Sequence, residues 1–215
     1  MRGVKITYGN ESIHTGNDLG LVQEIKKIGK PEIQTDTVAV PGRNGLLNLT
    51  KSLTGKVCYY NRPIELQYFG NGSRADLLKL DSRFSKYHGQ TVRIIDDDYP
   101  DYYYEGEVVV NTEIYPNYIL IGLTIDAQPF RLKNELTEVS VRITSQGNVN
   151  VENEFMPTIP TITVGASMSI TFGSKKVTLS AGTYTIDDFE LSAGVNTFLV
   201  SGTGNITFKY REGAI

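Results

Sequence analysis

Gly70, Gly72 and Ala75 stand at the G-x-G-x-x-A spacing that lets a backbone approach a pyrophosphate. The pattern follows a strand-like run and opens a helix-like one, and a second strand ends at Asp96, where a ribose-binding acid would sit. Its context fails one level up. A dinucleotide site needs repeated βαβ units, and the strand-like runs here are joined by hairpin turns. The glycines therefore read as a strand-to-helix turn, with no cofactor. Asp96, Asp97 and Asp98, with Asp101, Glu105 and Glu107, invite a calcium loop, since Glu107 is the twelfth residue counted from Asp96. The sixth is Asp101, where such a loop needs glycine, and no second helix follows. This run reads as a solvated connection between strands, with no metal. His14 and His88 are far apart and have no Cys or His at ligand spacing, and Asp187, Asp188 and Glu190 carry no supporting motif for paired-carboxylate hydrolysis. No catalytic residue is assigned and no enzymatic activity is expected.

Composition narrows the partners. A chain of 215 residues with 40% hydrophobic content can fill ordinary packed cores, and a net charge of −3 without a dominant basic block argues against binding duplex nucleic acid. Lys26, Lys27 and Lys30 read as a solvated local cluster. The single Cys58 excludes an internal disulfide and reads as a small apolar residue in a strand. The first residues lack the apolar core of a signal peptide, and no run is long enough to cross a bilayer, so synthesis and folding in a cytoplasm are expected.

The elements that would position these residues are mostly strands. Ile64, Leu66 and Tyr68 alternate with Glu65 and Gln67. Ser73 is a good N-cap, with Asp76 three positions on, for a helix whose Leu77, Leu80, Phe84 and Tyr87 share one face and which Gly89 stops. Residues 18–28 offer a short second helix. Strands are expected over residues 91–95, 103–110 and 118–125. Past Arg131 a charged, non-alternating stretch suits a junction, placed near residue 133. Residues 134–215 then show short alternating runs at 139–143, 161–164, 168–172, 176–179, 182–186, 196–200 and 205–210. Turn residues, among them Gly147 and Asn148, separate them, which is the habit of a β-sandwich.

Residues 38–62 read as a long hairpin, because the pairs Pro41–Gly42 and Asn44–Gly45 supply the fixed φ and the positive φ of a tight reversal. Its tip, Val40, Pro41, Gly42, Arg43, Asn44, Gly45 and Leu46, has no acid, base or nucleophile beside the arginine. It reads as a contact device. Tyr99, Tyr102, Tyr103 and Tyr104 offer either interface aromatics or core packing, with at least one expected in the core. In the second half Tyr184 and Tyr210 read as packing residues, and Trp is absent.

The hairpin, the helix ending Tyr87, His88, Gly89 and Gln90, the stretch from Val92 through Asp98 to Gly106, and Ala127, Pro129, Phe130 and Arg131 together resemble the phage distal tail (Dit) proteins. The resemblance covers nearly the whole chain. In the second half, Gly194, Asn196, Gly202 and Gly204 with the closing Phe208 to Arg211 are similar to that family's galectin-like domain. The resemblance implies a mainly β protein: residues 1–133 as a tail-tube-like, ring-forming domain bearing a belt hairpin, and residues 134–215 as a galectin-like sandwich. It implies a homohexameric ring at the virion tail tip, with the tail tube protein, a tip or tape-end protein and a receptor-binding protein as partners. The alternative is a carbohydrate-binding module on the tail that adheres to the host wall. Lectins of that shape stack and orient sugars with Trp, His, Asn and Arg, and no His follows His88.

Overall fold

A computed structural model describes residues 2–215, and the chain divides into two compact units, one ending at Arg131 and joined by Ile215, the other spanning 132–214. In the first unit the strands are β1 (Val4–Tyr8), β2 (Glu11–His14), β3 (Val22–Ile28), β4 (Thr37–Ala39) and β5 (Leu46–Asn48). Then come α1 (Leu49–Thr54), β6 (Arg62–Asn71), α2 (Arg74–Ser85), β7 (Gln90–Asp96), β8 (Tyr102–Ile114) and β9 (Tyr118–Ala127). Antiparallel pairing gives the sheet order β2-β1-β7-β8-β9-β6-β3.

Alternation decides which way this sheet faces. Along β6 the side chains of Ile64, Leu66 and Tyr68 are buried, and along β9 those of Ile119, Ile121, Leu123 and Ile125 are, so neighbouring strands present one continuous apolar face. Helix α2 covers it. The Ser73 hydroxyl caps the helix by accepting from the Asp76 N–H at 3.3 Å, and Leu77 and Phe84 are driven inward against β8 and β9. Past the helix the chain turns back through Gly89, whose φ of 72° is left-handed.

Two sequence expectations are corrected in this unit. Residues 18–28 are not helical: a turn leads into β3, an edge strand. The spacing of three between Val22, Ile25 and Ile28 imitates a helical face, but in the strand a β-bulge between Gln23 and Ile25 shifts the register on β6, setting Val22 and Ile25 opposite Phe69 and Gln67 and Ile28 opposite Ile64. The second helix is α1, inside the stretch read as continuous hairpin strand. Asn48 caps it by accepting from the Lys51 N–H at 3.1 Å, and Gly55, at φ 70°, ends it in a left-handed turn.

The strand β10 (Arg131–Lys133) spans the division between the units. The second unit is built from β11 (Thr137–Ile143), β12 (Gln146–Asn153), β13 (Thr161–Val164), β14 (Met168–Phe172), β15 (Lys175–Leu179) and β16 (Gly182–Thr185). After a single 3-10 turn follow β17 (Gly194–Gly202), β18 (Gly204–Tyr210) and β19 (Gly213–Ala214). Two four-stranded antiparallel sheets, β11-β18-β13-β16 and β12-β17-β14-β15, bury their inward residues between them. Phe198 is the centre of that core: Phe172 stacks on it at 4.4 Å, Phe208 lies at 4.7 Å and Phe189 meets it edge-on at 5.7 Å. The strand β12 runs through Gly147 and Asn148, which the sequence marks as breakers; burial of Val149 and Val151 outweighs their turn preference.

Candidate functional site

Between the paired strands β3 and β6 the chain leaves the sheet and makes an arm. Its base is a ladder: the Gln34 N–H donates to the Cys58 carbonyl at 2.8 Å and the Tyr60 N–H to the Glu32 carbonyl at 2.8 Å. Farther out, β4 and β5 pair with Val38 opposite Leu47 and Ala39 opposite Leu46, and α1 follows directly. The tip reverses through Gly42 and Gly45, each at φ 79°, so residues 40–45 form the loop and Leu46 begins the returning strand. Each strand is three residues long, shorter than the sequence suggests, because capping at Asn48 diverts the return into a helix.

The arm carries apolar side chains but has no core. Leu46 is 64% exposed and Leu53 83%, and Ile33, Val38, Val40, Val57 and Tyr60 are exposed as well. None of them belongs to either buried cluster. Scattered exposed leucines are ordinary; here the apolar set is gathered on one element outside both cores. Cys58 lies half-buried on the return path, outside any strand.

The four tyrosines separate. Tyr104 is buried in the first core with the Arg62 guanidinium 5.2 Å over its ring. Tyr103 is buried beneath Arg93, which lies 4.8 Å from its ring and pairs with Glu105 at 2.7 Å. Tyr99 is exposed, and it and the half-buried Tyr102 flank Arg131 at 4.5 and 4.9 Å. Of the four, only this second pair presents surface.

The acidic run does connect two strands, β7 and β8, through an exposed turn over residues 97–101, but Asp96 at its start is buried and its first three carboxylates are paired. Asp96 is 2% exposed, and both its oxygens take hydrogen bonds from Lys26 Nζ, at 2.9 and 2.8 Å. Lys26 also bonds Asp98 and so is no member of a solvated cluster, while Lys27 pairs with Glu65 at 3.0 Å. Burial would lower the Lys26 pKa, but the hydrogen bonds and charges of Asp96 and Asp98 outweigh it and hold the ammonium above its usual range. Asp97 is likewise pushed up by burial and pulled further down by hydrogen bonds from His14 and from the Gly3 N–H. His14 Nδ1 accepts from the N–H groups of Gly16 and Asn17, at 3.1 and 2.9 Å, which leaves Nε2–H to donate to Asp97 at 2.9 Å. The space a metal ion would take is filled by an ammonium and an imidazole. Among the described residues no group of three His, Cys, Asp or Glu side chains is arranged to hold a metal.

The glycine pattern serves packing. A Cβ on Gly70 would come within 2.7 Å of Leu21 Cδ2 and 3.2 Å of Ile119 Cγ2, and the strand it ends is antiparallel to both neighbours. His88 sits on the backbone of Val110 at 3.2 Å, in no contact with His14. In the second unit Asp188 pairs with Lys175 at 3.1 Å. The Tyr184 hydroxyl donates to the Ser180 carbonyl at 3.1 Å, and that of the buried Tyr210 donates to the Glu152 carbonyl. Burial pushes the Tyr210 pKa up to about 12.

No family model matches the chain, and no curated protein does. A solved structure does match: the crystal structure of SPP1 Dit, described as a paradigm of the hub adsorption apparatus in Gram-positive infecting phages. It aligns with a TM-score of 0.60 at 16% sequence identity, over 97% of this chain and 98% of that one. The chain therefore has a Dit-like fold, mainly β, along nearly its full length.

Proposed function

We propose that this chain is a structural subunit of a phage or prophage tail tip, a Dit-like protein that closes into a hexameric hub ring. The ring joins the tail tube to the tip or baseplate and docks tip, tape-end or receptor-binding proteins. The observation that carries this reading is an exposed apolar arm, without a core of its own, on a fold like that of a tail hub protein. Ring closure needs a heterologous interface, in which one protomer offers a patch different from the one its neighbour receives it with. An arm that reaches beyond its own sheet provides such a patch without enlarging either core. In this reading residues 1–133 form the ring, residues 134–215 are a galectin-like docking module, and the protein resides at the virion tail tip after synthesis in the host cytoplasm. The role is structural and not catalytic, which is consistent with Asp96, Asp97, Asp98 and His14 being committed to internal pairs.

The test is the mass in solution, by light scattering over a wide concentration range, alone and with the tail-tip partner. A ring of six chains is expected. Deleting residues 40–46 should lower the mass while both units stay folded, and a single-chain mass throughout, with and without partner, would sink the proposal.

A further inference from the structure

The arm departs through Gly29 and Lys30 and returns at Arg62, and these root residues share a cleft of about 360 Å³ with Tyr99, Tyr104 and Arg131. Three of its cations, Lys30, Arg62 and Arg131, have no ion-pair partner among the described residues. Arg62 is 3% exposed; its Nε and Nη2 donate to the Pro129 carbonyl, at 2.9 Å from Nε, and Tyr104 is a further hydrogen-bond partner. Burial lowers the Arg62 pKa, Tyr104 opposes that shift, and the nearby Arg131 charge adds to it. Arg131, clasped between two tyrosine rings, has a buried Nε without an acceptor. Among the described residues no carboxylate lies within ion-pair distance of Lys30, Arg62 or Arg131. Asp96, Asp98 and Ile215 also line the cleft; Lys26 already holds both aspartates, and no ion pair joins Ile215 to Lys30, Arg62 or Arg131 among the described residues.

A buried guanidinium held by one carbonyl and one tyrosine, with no carboxylate against it, keeps part of its desolvation cost, and a second guanidinium beside it adds repulsion. A carboxylate entering the cleft relieves both, with paired N–H donors in the fork geometry that suits it. We propose that this cleft receives a carboxylate side chain, Asp or Glu, from a neighbouring protein segment laid across the root of the arm. Charge complementarity selects the acidic group, and the exposed Ile33 and Tyr60 beside the root offer apolar surface to the residues flanking it. The inference concerns the protomer's own charges and stands whether or not the chain closes into a ring.

The full-length chain is titrated at constant ionic strength with a hexaglutamate peptide, a hexaglutamine peptide and sodium phosphate, while the Nε–Hε resonances of Arg62 and Arg131 are followed by NMR. Saturable shifts of both are expected with hexaglutamate and not with hexaglutamine. Arg131→Gln should weaken binding by tenfold or more and Lys30→Gln, at an exposed position, by a few-fold. No saturable shift, equal binding of the two peptides, saturation by phosphate alone, or unchanged affinity in both variants would each overturn the proposal.

Discussion

Replacing Leu46 and Leu53 together by serine separates a contact surface from a packed element. With 64% and 83% of these residues open to solvent, the protomer loses little by the change. Exposed substitutions of this kind shift stability by under about 1 kcal/mol, including the helix propensity lost in α1. Association is different. Burying a leucine fully contributes roughly 1.5–3 kcal/mol, so covering the open portions of both in a neighbour's groove contributes about 3 kcal/mol, or about a hundredfold in dissociation constant. The assay is a dilution series by sedimentation velocity on parent and variant, alongside thermal unfolding of each. The expected result is a dissociation midpoint about a hundredfold higher in concentration with a melting temperature nearly unchanged. An unchanged midpoint puts the interface elsewhere, and a fall of many degrees means that the leucines pack within the protomer; either refutes the reasoning.

Gly106→Ala should be among the most destabilising small changes, because its Cβ would lie 2.3 Å from the Asp126 carbonyl oxygen and 2.5 Å from the Ala127 Cα, forcing β8 from β9. We expect a loss of about 3 kcal/mol by chemical denaturation, and a wild-type midpoint would contradict it. Lys26→Met leaves Asp96 buried without its cation and should cost about 2 kcal/mol, with Asp96→Asn in the same chain recovering part of the loss; no recovery would deny the pairing. Burial raises the Glu212 pKa, but hydrogen bonds from Thr137, Lys133 and the Glu154 N–H outweigh it and hold the carboxyl below the usual range. Its contribution is therefore full above the unfolded carboxylate pKa and lost as pH falls through the lower folded value. Glu212→Gln should shrink the fall in melting temperature between about pH 6 and pH 3, and parallel curves for variant and parent would refute this.

Much of the fold is legible in sequence wherever alternation runs unbroken, as along Ile64, Leu66 and Tyr68 or Ile119 to Ile125, because burial of one sheet face leaves the pattern no alternative. It is lost where a local device resets the period. The apolar residues of β3 are spaced by three across the bulge after Gln23, which hides the strand period, and the six residues of α1 are too few to show a helical stripe. The caps at Asn48 and Gly55 were the available signal. At the site, the turn chemistry of Gly42 and Gly45 was readable, since left-handed φ demands glycine. The partners of the acidic run were not, because Lys26 and His14 lie 70 and 83 residues from the aspartates they bind. Nothing local distinguishes such a pair from two solvated charges. The same holds for the cleft at the arm's root, whose members come together only when β3, β6 and β8 are in place.

The strands β3 and β6 pair directly with each other, yet the connection between them runs from Gly29 to Asn61. A tight turn of about four residues would link them at less entropic cost, since each doubling of a flexible loop adds about 0.6 kcal/mol and three doublings separate the two designs, roughly 2 kcal/mol in all. Marginal proteins hold only about 5–15 kcal/mol in reserve, so this is a sizeable fraction for a segment that adds nothing to either core. Selection for protomer stability alone would have trimmed the loop. In the proposed assembly the arm's contact offsets this cost only when it returns more than the roughly 2 kcal/mol the chain gives up in keeping its two strands so far apart along the sequence.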